Sequence, residues 1–205
     1  MDMKREKKGV FVSIDGPNGV GKSTFIQRLS QAVPAPVYVT GEPTSAPLGR
    51  FVRNNEGNLT GLAYAYALCA DRCWHVEKEI LPRLQSGELV LTDRYIDSSM
   101  VYQRFDGVPE EKIWQLNQDF PVPDLSILLL AEEKVMRQRL GGREELTDYE
   151  RRMNRLQEVE YYLAAQKFLS QKGFHYLVLY NNTMEDLEKN IETAAAEIHK
   201  RYRRL

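Results

Sequence analysis

The stretch Val10–Thr24, VFVSIDGPNGVGKST, decides the fold of this 205-residue chain. Its first six residues, Val10 to Asp15, are mostly apolar, rich in β-branched side chains, and stop at a glycine, which reads as a buried strand. From Ser23 to Ala32 the spacing turns helical, with Phe25, Ile26, Leu29 and Ala32 on one face and Pro34 beyond the end. Between strand and helix, Gly16 and Gly21 enclose four residues and are followed by Lys22 and Ser23. Glycines let a backbone turn tightly and aim its N–H groups at an anion, and the helix that follows adds its N-terminal dipole. A lysine there reaches the outer phosphates of a nucleotide, and a serine hydroxyl can ligate its metal ion. Gly16, Asn18, Gly19, Val20, Gly21, Lys22, Ser23 and Thr24 are therefore the candidate ATP-binding loop.

Outward from this loop, short apolar runs alternate with helical ones. Strands are expected at Val37–Thr40, Leu89–Thr92, Leu125–Leu130 and Phe174–Leu179. Pro47 to Asn54 carries a loop and short helix. Leu59 to Gln85 is expected as one long helix, with Leu62, Tyr66, Cys69, Cys73, Val76, Ile80 and Leu84 on its apolar stripe and a kink at Pro82. Further helices are expected at Tyr95–Phe105, Glu110–Asp119, Glu133–Leu140, Glu150–Lys172 and Met184–Tyr202. The alternation predicts a three-layer α/β fold of the P-loop NTPase kind, a five-stranded parallel sheet with helices on both faces. No repeat or linker divides it, so the whole chain reads as a single domain.

Composition narrows the function. Apolar residues make up 42% and charged ones 28%, ordinary for a globular chain, and a net charge of −1 argues against a general nucleic-acid or membrane-surface binder. Met1 to Lys8 is charged rather than apolar, unlike a signal peptide, and no run approaches the roughly 20 apolar residues of a membrane span. A cytoplasmic protein is expected. Cys69 and Cys73, four apart on one helical face, read as core thiols rather than as a disulfide framework or metal site. His75, His175 and His199 read as structural or solvated.

Asp93 and Arg94 close the run Leu-Val-Leu-Thr, at the carboxyl end of a strand, where open α/β sheets bind ligands. A carboxylate there can hold Mg²⁺ directly or through water, so Ser23 and Asp93 are the candidate metal ligands.

Four segments resemble the thymidylate kinases: FVSIDGPNGVGKSTF, TGEPTSAPLGRFVR, ADRCWHVEKEILPRLQSGELVLTDRYIDSSMVYQ, and PDLSILLL with the arginine-rich stretch after it. The resemblance runs from about Val10 to Ile198. It implies a Mg-ATP-dependent kinase that converts dTMP to dTDP, usually homodimeric. It implies that Arg94 and Arg53 hold the acceptor phosphate, that Arg72 and Ser99 face the base, and that Tyr102 packs beside the sugar. Glu42 would lie near acceptor and metal, and Pro43, Leu68, Ser98 and Gln103 complete the substrate-binding candidates. Arg137, Arg139 and Arg143 would belong to a lid, at about 137–152, that closes over ATP, with Arg143 beside its glycines touching the transferring group. The catalytic set is then Lys22, Asp93, Arg94 and Arg143. Such a set suits the chemistry: a phosphate monoester is already a dianion at neutral pH, so it needs cations and in-line positioning rather than a strong base.

The sequence departs from the family at four places. Asn18 stands where an acidic residue is usual, Leu68 where an aromatic ring stacks on thymine, and Gly41 where many bacterial members have arginine. Thr147-Asp148-Tyr149-Glu150 lacks the usual lid arginine. Tyr64, one turn before Leu68, is a possible substitute ring. These departures keep open a related kinase acting on another nucleotide, a modified nucleotide or a nucleoside; a non-catalytic nucleotide-binding regulator is the remaining alternative. Lys22→Ala is expected to lose nearly all turnover in a coupled ADP-release assay, which a mere regulator would not show at all.

Overall fold

The computed structural model describes residues 8–141 and 147–203. Five strands form one parallel sheet: β1 Val10–Asp15, β2 Val37–Gly41, β3 Leu89–Asp93, β4 Leu125–Leu130 and β5 Tyr176–Tyr180, in the order β2-β3-β1-β4-β5. β1 lies at the centre, with Ile14 opposite both Asp93 of β3 and Ile127 of β4. The chain leaves β1 toward β2 on one side and later crosses to β4 on the other. The reversal leaves a crevice at the carboxyl ends of β1 and β3, where such sheets bind ligands.

The two-residue period of a strand divides the core into two halves. Val10, Val12 and Ile14 of β1, with Leu125, Ile127 and Leu129 of β4, pack against α1 (Lys22–Ala32) and α10 (Met184–Tyr202). Phe11, Leu128 and Leu130 face the other way, toward α3 (Gly61–His75), α5 (Ile96–Phe105), α6 (Glu110–Asn117) and α9 (Arg155–Ser170). The three-layer arrangement expected from the alternation is thus present. The shorter helices are α2 (Pro47–Asn54), α4 (Leu81–Gln85), α7 (Glu133–Leu140) and α8 (Asp148–Arg152).

Two helices expected as continuous are broken. Leu59–Gln85 runs as α3, then a π turn at Val76–Ile80, then α4. The Leu81 N–H donates to the Val76 carbonyl five residues back, and Pro82 falls in the first turn of α4. Proline has no N–H, and its ring would crowd a carbonyl four residues earlier, so the wider π turn resets the ladder ahead of it. Glu150–Lys172 is likewise two helices. Asn154 caps α9 by accepting from the Gln157 N–H, while Thr147 and Glu150 form a reciprocal capping box on α8. Cys69 is half-buried and Cys73 exposed, so the apolar stripe does not carry both thiols into the core as expected. β5 begins two residues later than expected because Phe174 is turned back by its bond to the Leu169 carbonyl.

Leu29 is fully buried between α1 and the sheet. Leu29→Ala is expected to lower stability by about 2–5 kcal/mol in urea denaturation, with the denaturant slope unchanged.

Candidate active site

The loop after β1 is shaped by close packing. A side chain at Gly16, whose φ is 145°, would place its Cβ 2.1 Å from the Leu129 carbonyl oxygen. Gly21, at φ 92°, caps α1, so Lys22 and Ser23 open the helix, where the first N–H groups have no partner within it. The loop is held from outside by the turn after β5 and by α7. Asn181 donates to the Val20 carbonyl at 2.7 Å, and Arg139 donates to the Val20 and Asn181 carbonyls at 3.1 and 2.9 Å.

The Lys22 ammonium folds back onto the Gly16 and Pro17 carbonyls, at 2.8 and 3.0 Å. Burial pulls its pKa down to about 8; Arg94 adds to that, and Asp93, Glu158 and Asp15 oppose it. Asp15, at the end of β1, is pushed up to about 6 by burial, against the bond from the Ser98 hydroxyl and the charges of Arg94 and Lys22. Asp15 and Lys22 thus share one buried junction, each shifted mainly by loss of water.

Two cavities meet there. The larger, about 550 Å³, is lined by Gly19, Gly21, Lys22, Ser23, Thr24, Asp93 and Arg139. The smaller, about 290 Å³, is lined by Glu42, Pro43, Arg53, Leu68, Arg72, Ser98, Ser99, Tyr102 and Gln103. Asn18, Arg94 and Thr147 belong to both walls. Gly16 and Val20 shape the loop without lining either cavity; the Val20 side chain is in the core. Arg137 lies outside both, exposed and paired with Glu133 at 2.6 Å. Arg143 falls outside the described residues.

Arg94 is the cation common to both cavities. Its backbone is left-handed, at φ 72°. Its guanidinium donates to Asn18 Oδ1 at 2.7 Å, to the hydroxyls of Tyr102 and Tyr162 at 3.0 and 3.1 Å, and to Ser98 Oγ at 3.2 Å. All four acceptors are uncharged. Arg72, 2% exposed, is bound differently. It pairs with Glu42 at 2.7 Å and also donates to Asn117, the Tyr95 carbonyl and Ser99. Burial pushes the Glu42 carboxyl up, but Arg72 and His75 outweigh it and bring it below the ordinary value. Arg53 donates to the Pro43 and Thr44 carbonyls at the cavity mouth.

Three residues of the site, His75, Tyr149 and Glu158, were not among the candidates read from the sequence. His75 is fully buried, its Nδ1 3.0 Å from Glu42 and its Nε2 2.8 Å from Thr40 Oγ1. It is a structural histidine, as expected, but one that positions a cavity carboxylate. The Tyr149 ring of α8 lies tilted at 38° to that of Tyr102, centroids 4.8 Å apart, and with Tyr64 both line the smaller cavity. Glu158 of α9 bonds the loop at Asn18. The signal for Glu158 was a lone acid on the buried face of α9, shared with Tyr162, Ala165 and Leu169.

Residues 14–191 match the family model described as Thymidylate kinase. The chain is 35% identical over 201 residues to the "Probable thymidylate kinase" of Caldivirga maquilingensis, covering 94% of this chain and 98% of that protein. It is 32% identical to the thymidylate kinase of Limosilactobacillus reuteri, covering 95% and 97%. Its fold is similar to that of the thymidylate kinase of Candida albicans, with a TM-score of 0.74 at 19% identity over 94% and 95% of the two chains.

The lowered Lys22 gives the site a pH dependence of known sign. A phosphate binds the ammonium form, so below pH 8 little proton exchange is expected, while above it binding takes up a proton and weakens as pH rises. Calorimetry with ATP at about pH 9, in buffers of different ionisation enthalpy, should show an uptake approaching about one proton.

Proposed function

The chain belongs to the thymidylate kinase family, and we propose that it transfers the γ-phosphoryl group of ATP to dTMP, giving dTDP and ADP. One observation carries this reading: a lysine-bearing phosphate loop and a second, aromatic-walled cavity open onto the same Arg94, whose hydrogen bonds go to uncharged acceptors. Two anions must be brought together in line, and a cation shared between their cavities is what that requires.

In this reading the larger cavity takes the ATP phosphates, with Lys22 released from its carbonyls onto the β- and γ-oxygens. The smaller takes dTMP. Arg94 receives the acceptor phosphate, aided by Arg53, and Tyr64, Tyr102 and Tyr149 supply the aromatic surface that Leu68 does not. Arg72 spends most of its donors on Glu42, Asn117, Tyr95 and Ser99, so it orients Ser99 and the cavity wall as much as it offers a contact to a base. Gln103 Oε1 is buried without a partner among the described residues and can accept from one.

The site also suits Mg²⁺. Ser23 and Asp93 line the larger cavity, and Asp93 Oδ1 is buried with no hydrogen-bond partner among the described residues. An oxygen-only donor pair beside a polyphosphate fits a hard divalent cation. When bound, the ion would neutralise charge on the ATP phosphates. Residues 137–152 act as a lid on the single kinase domain, Arg139 anchoring its start on the loop. The working form is read as a cytoplasmic homodimer; no described helix is long and apolar enough to cross a membrane.

A coupled ADP-release assay over a panel of monophosphates and nucleosides tests the assignment. Turnover with dTMP, and dTDP as its product, is the expected result. Turnover with another acceptor and none with dTMP would assign the smaller cavity to that compound instead.

A further inference from the structure

Glu158 belongs to none of the stretches that resemble a known motif, yet it is the carboxylate bonded to the phosphate loop. It is 1% exposed. Its Oε1 accepts from the Asn18 backbone N–H at 3.1 Å, from Asn18 Nδ2 at 3.2 Å and from the Tyr102 hydroxyl at 2.8 Å. Its Oε2 lies 2.8 Å from Arg155. The two side chains that hold Oε1 are also two of the four that hold Arg94.

The chemistry of the three groups fixes which way each one faces. An ionised carboxylate only accepts, so the amide nitrogen of Asn18 must point at Glu158 and its Oδ1 at Arg94. The Tyr102 proton is spent on Glu158, leaving a lone pair for the guanidinium. Glu158 is thereby separated from Arg94 by one uncharged layer. A carboxylate in direct contact would pair with the guanidinium and compete with an incoming phosphate. At one remove it orients the acceptors and leaves the cation free.

We propose that Glu158 is a positioning residue for the acceptor phosphate, acting on Arg94 through Asn18 and Tyr102. This rests on the reading above, in which Arg94 receives that phosphate. Asn18 then has a reason to be neutral: the local negative charge comes from α9 rather than from the loop.

Glu158→Gln keeps the size of the side chain but turns an amide N–H toward groups that must donate. It is expected to raise the KM for dTMP about tenfold, while the KM for ATP moves by less than about twofold. A side chain that served only to stabilise the fold would lower the unfolding temperature without that split. In the Asn18→Ala/Tyr102→Phe background both carriers are gone, and Glu158→Gln should add less than about twofold more. An unchanged dTMP KM in the single variant, or the full tenfold loss in that background, overturns the proposal. Should the Gln variant not fold, Glu158→Asp takes its place, since it keeps the charge and shortens the reach; an unchanged dTMP KM then overturns it equally. Unaltered dTMP kinetics in these variants beside an active wild-type chain would leave the kinase reading standing. A wild-type chain that neither binds nor phosphorylates dTMP would remove both.

Discussion

Arg94 stands on a left-handed backbone at the end of the third strand, and its guanidinium is held by an amide oxygen and three hydroxyls. Taking a cation from water costs several kcal/mol unless the surroundings replace its hydration, and here four uncharged acceptors do so without cancelling the charge. Their placement calls on most of the fold. Ser98 and Tyr102 come from the helix after the third strand, Tyr162 from α9, and Asn18 from the loop after the first strand. The central pair of strands sets the loop against the arginine, through the register of Ile14 with Asp93. Arg72 shows the contrast: a cation neutralised by a carboxylate and nearly saturated with partners builds a wall.

Much of this was legible in the sequence because it is local. The first strand, the glycine loop and α1 are contiguous, and their periodicities switch from two to nearly four within a few residues. The buried strands Leu89–Asp93 and Leu125–Leu130 declare themselves by apolar runs too short for helices. Arg72 was legible through the resemblance, which set it facing a base. The breaks in the long helices were less so. Pro82 signals a disturbance but not that the ladder widens six residues ahead of it, and Asn154 as a cap is visible only once the chain is known to turn there.

What Glu158 meets was illegible for a different reason. Its partner Asn18 is 140 residues away, and nothing in either segment announces the other. The same holds for His75 against Glu42, and for Tyr149 against Tyr102. Sequence spacing reports which face of an element is buried. It does not report which of two buried faces will meet, and polar groups inside a protein draw their meaning from that meeting.

The two carbonyls that hold the Lys22 ammonium turn the loop into a discriminator. Two of the three ammonium N–H groups are spent on them, so an anion meets one donor unless it displaces bonds each worth about 1.5–3 kcal/mol. Chloride or a carboxylate touches the lysine at a point and recovers little beyond what it displaces. A chain of phosphates also engages the partnerless N–H groups at the helix start, so its gains add where those of a small ion do not. The lysine thus screens the cell's abundant monoanions out of the cavity by the number of contacts they can make, before shape is consulted at all.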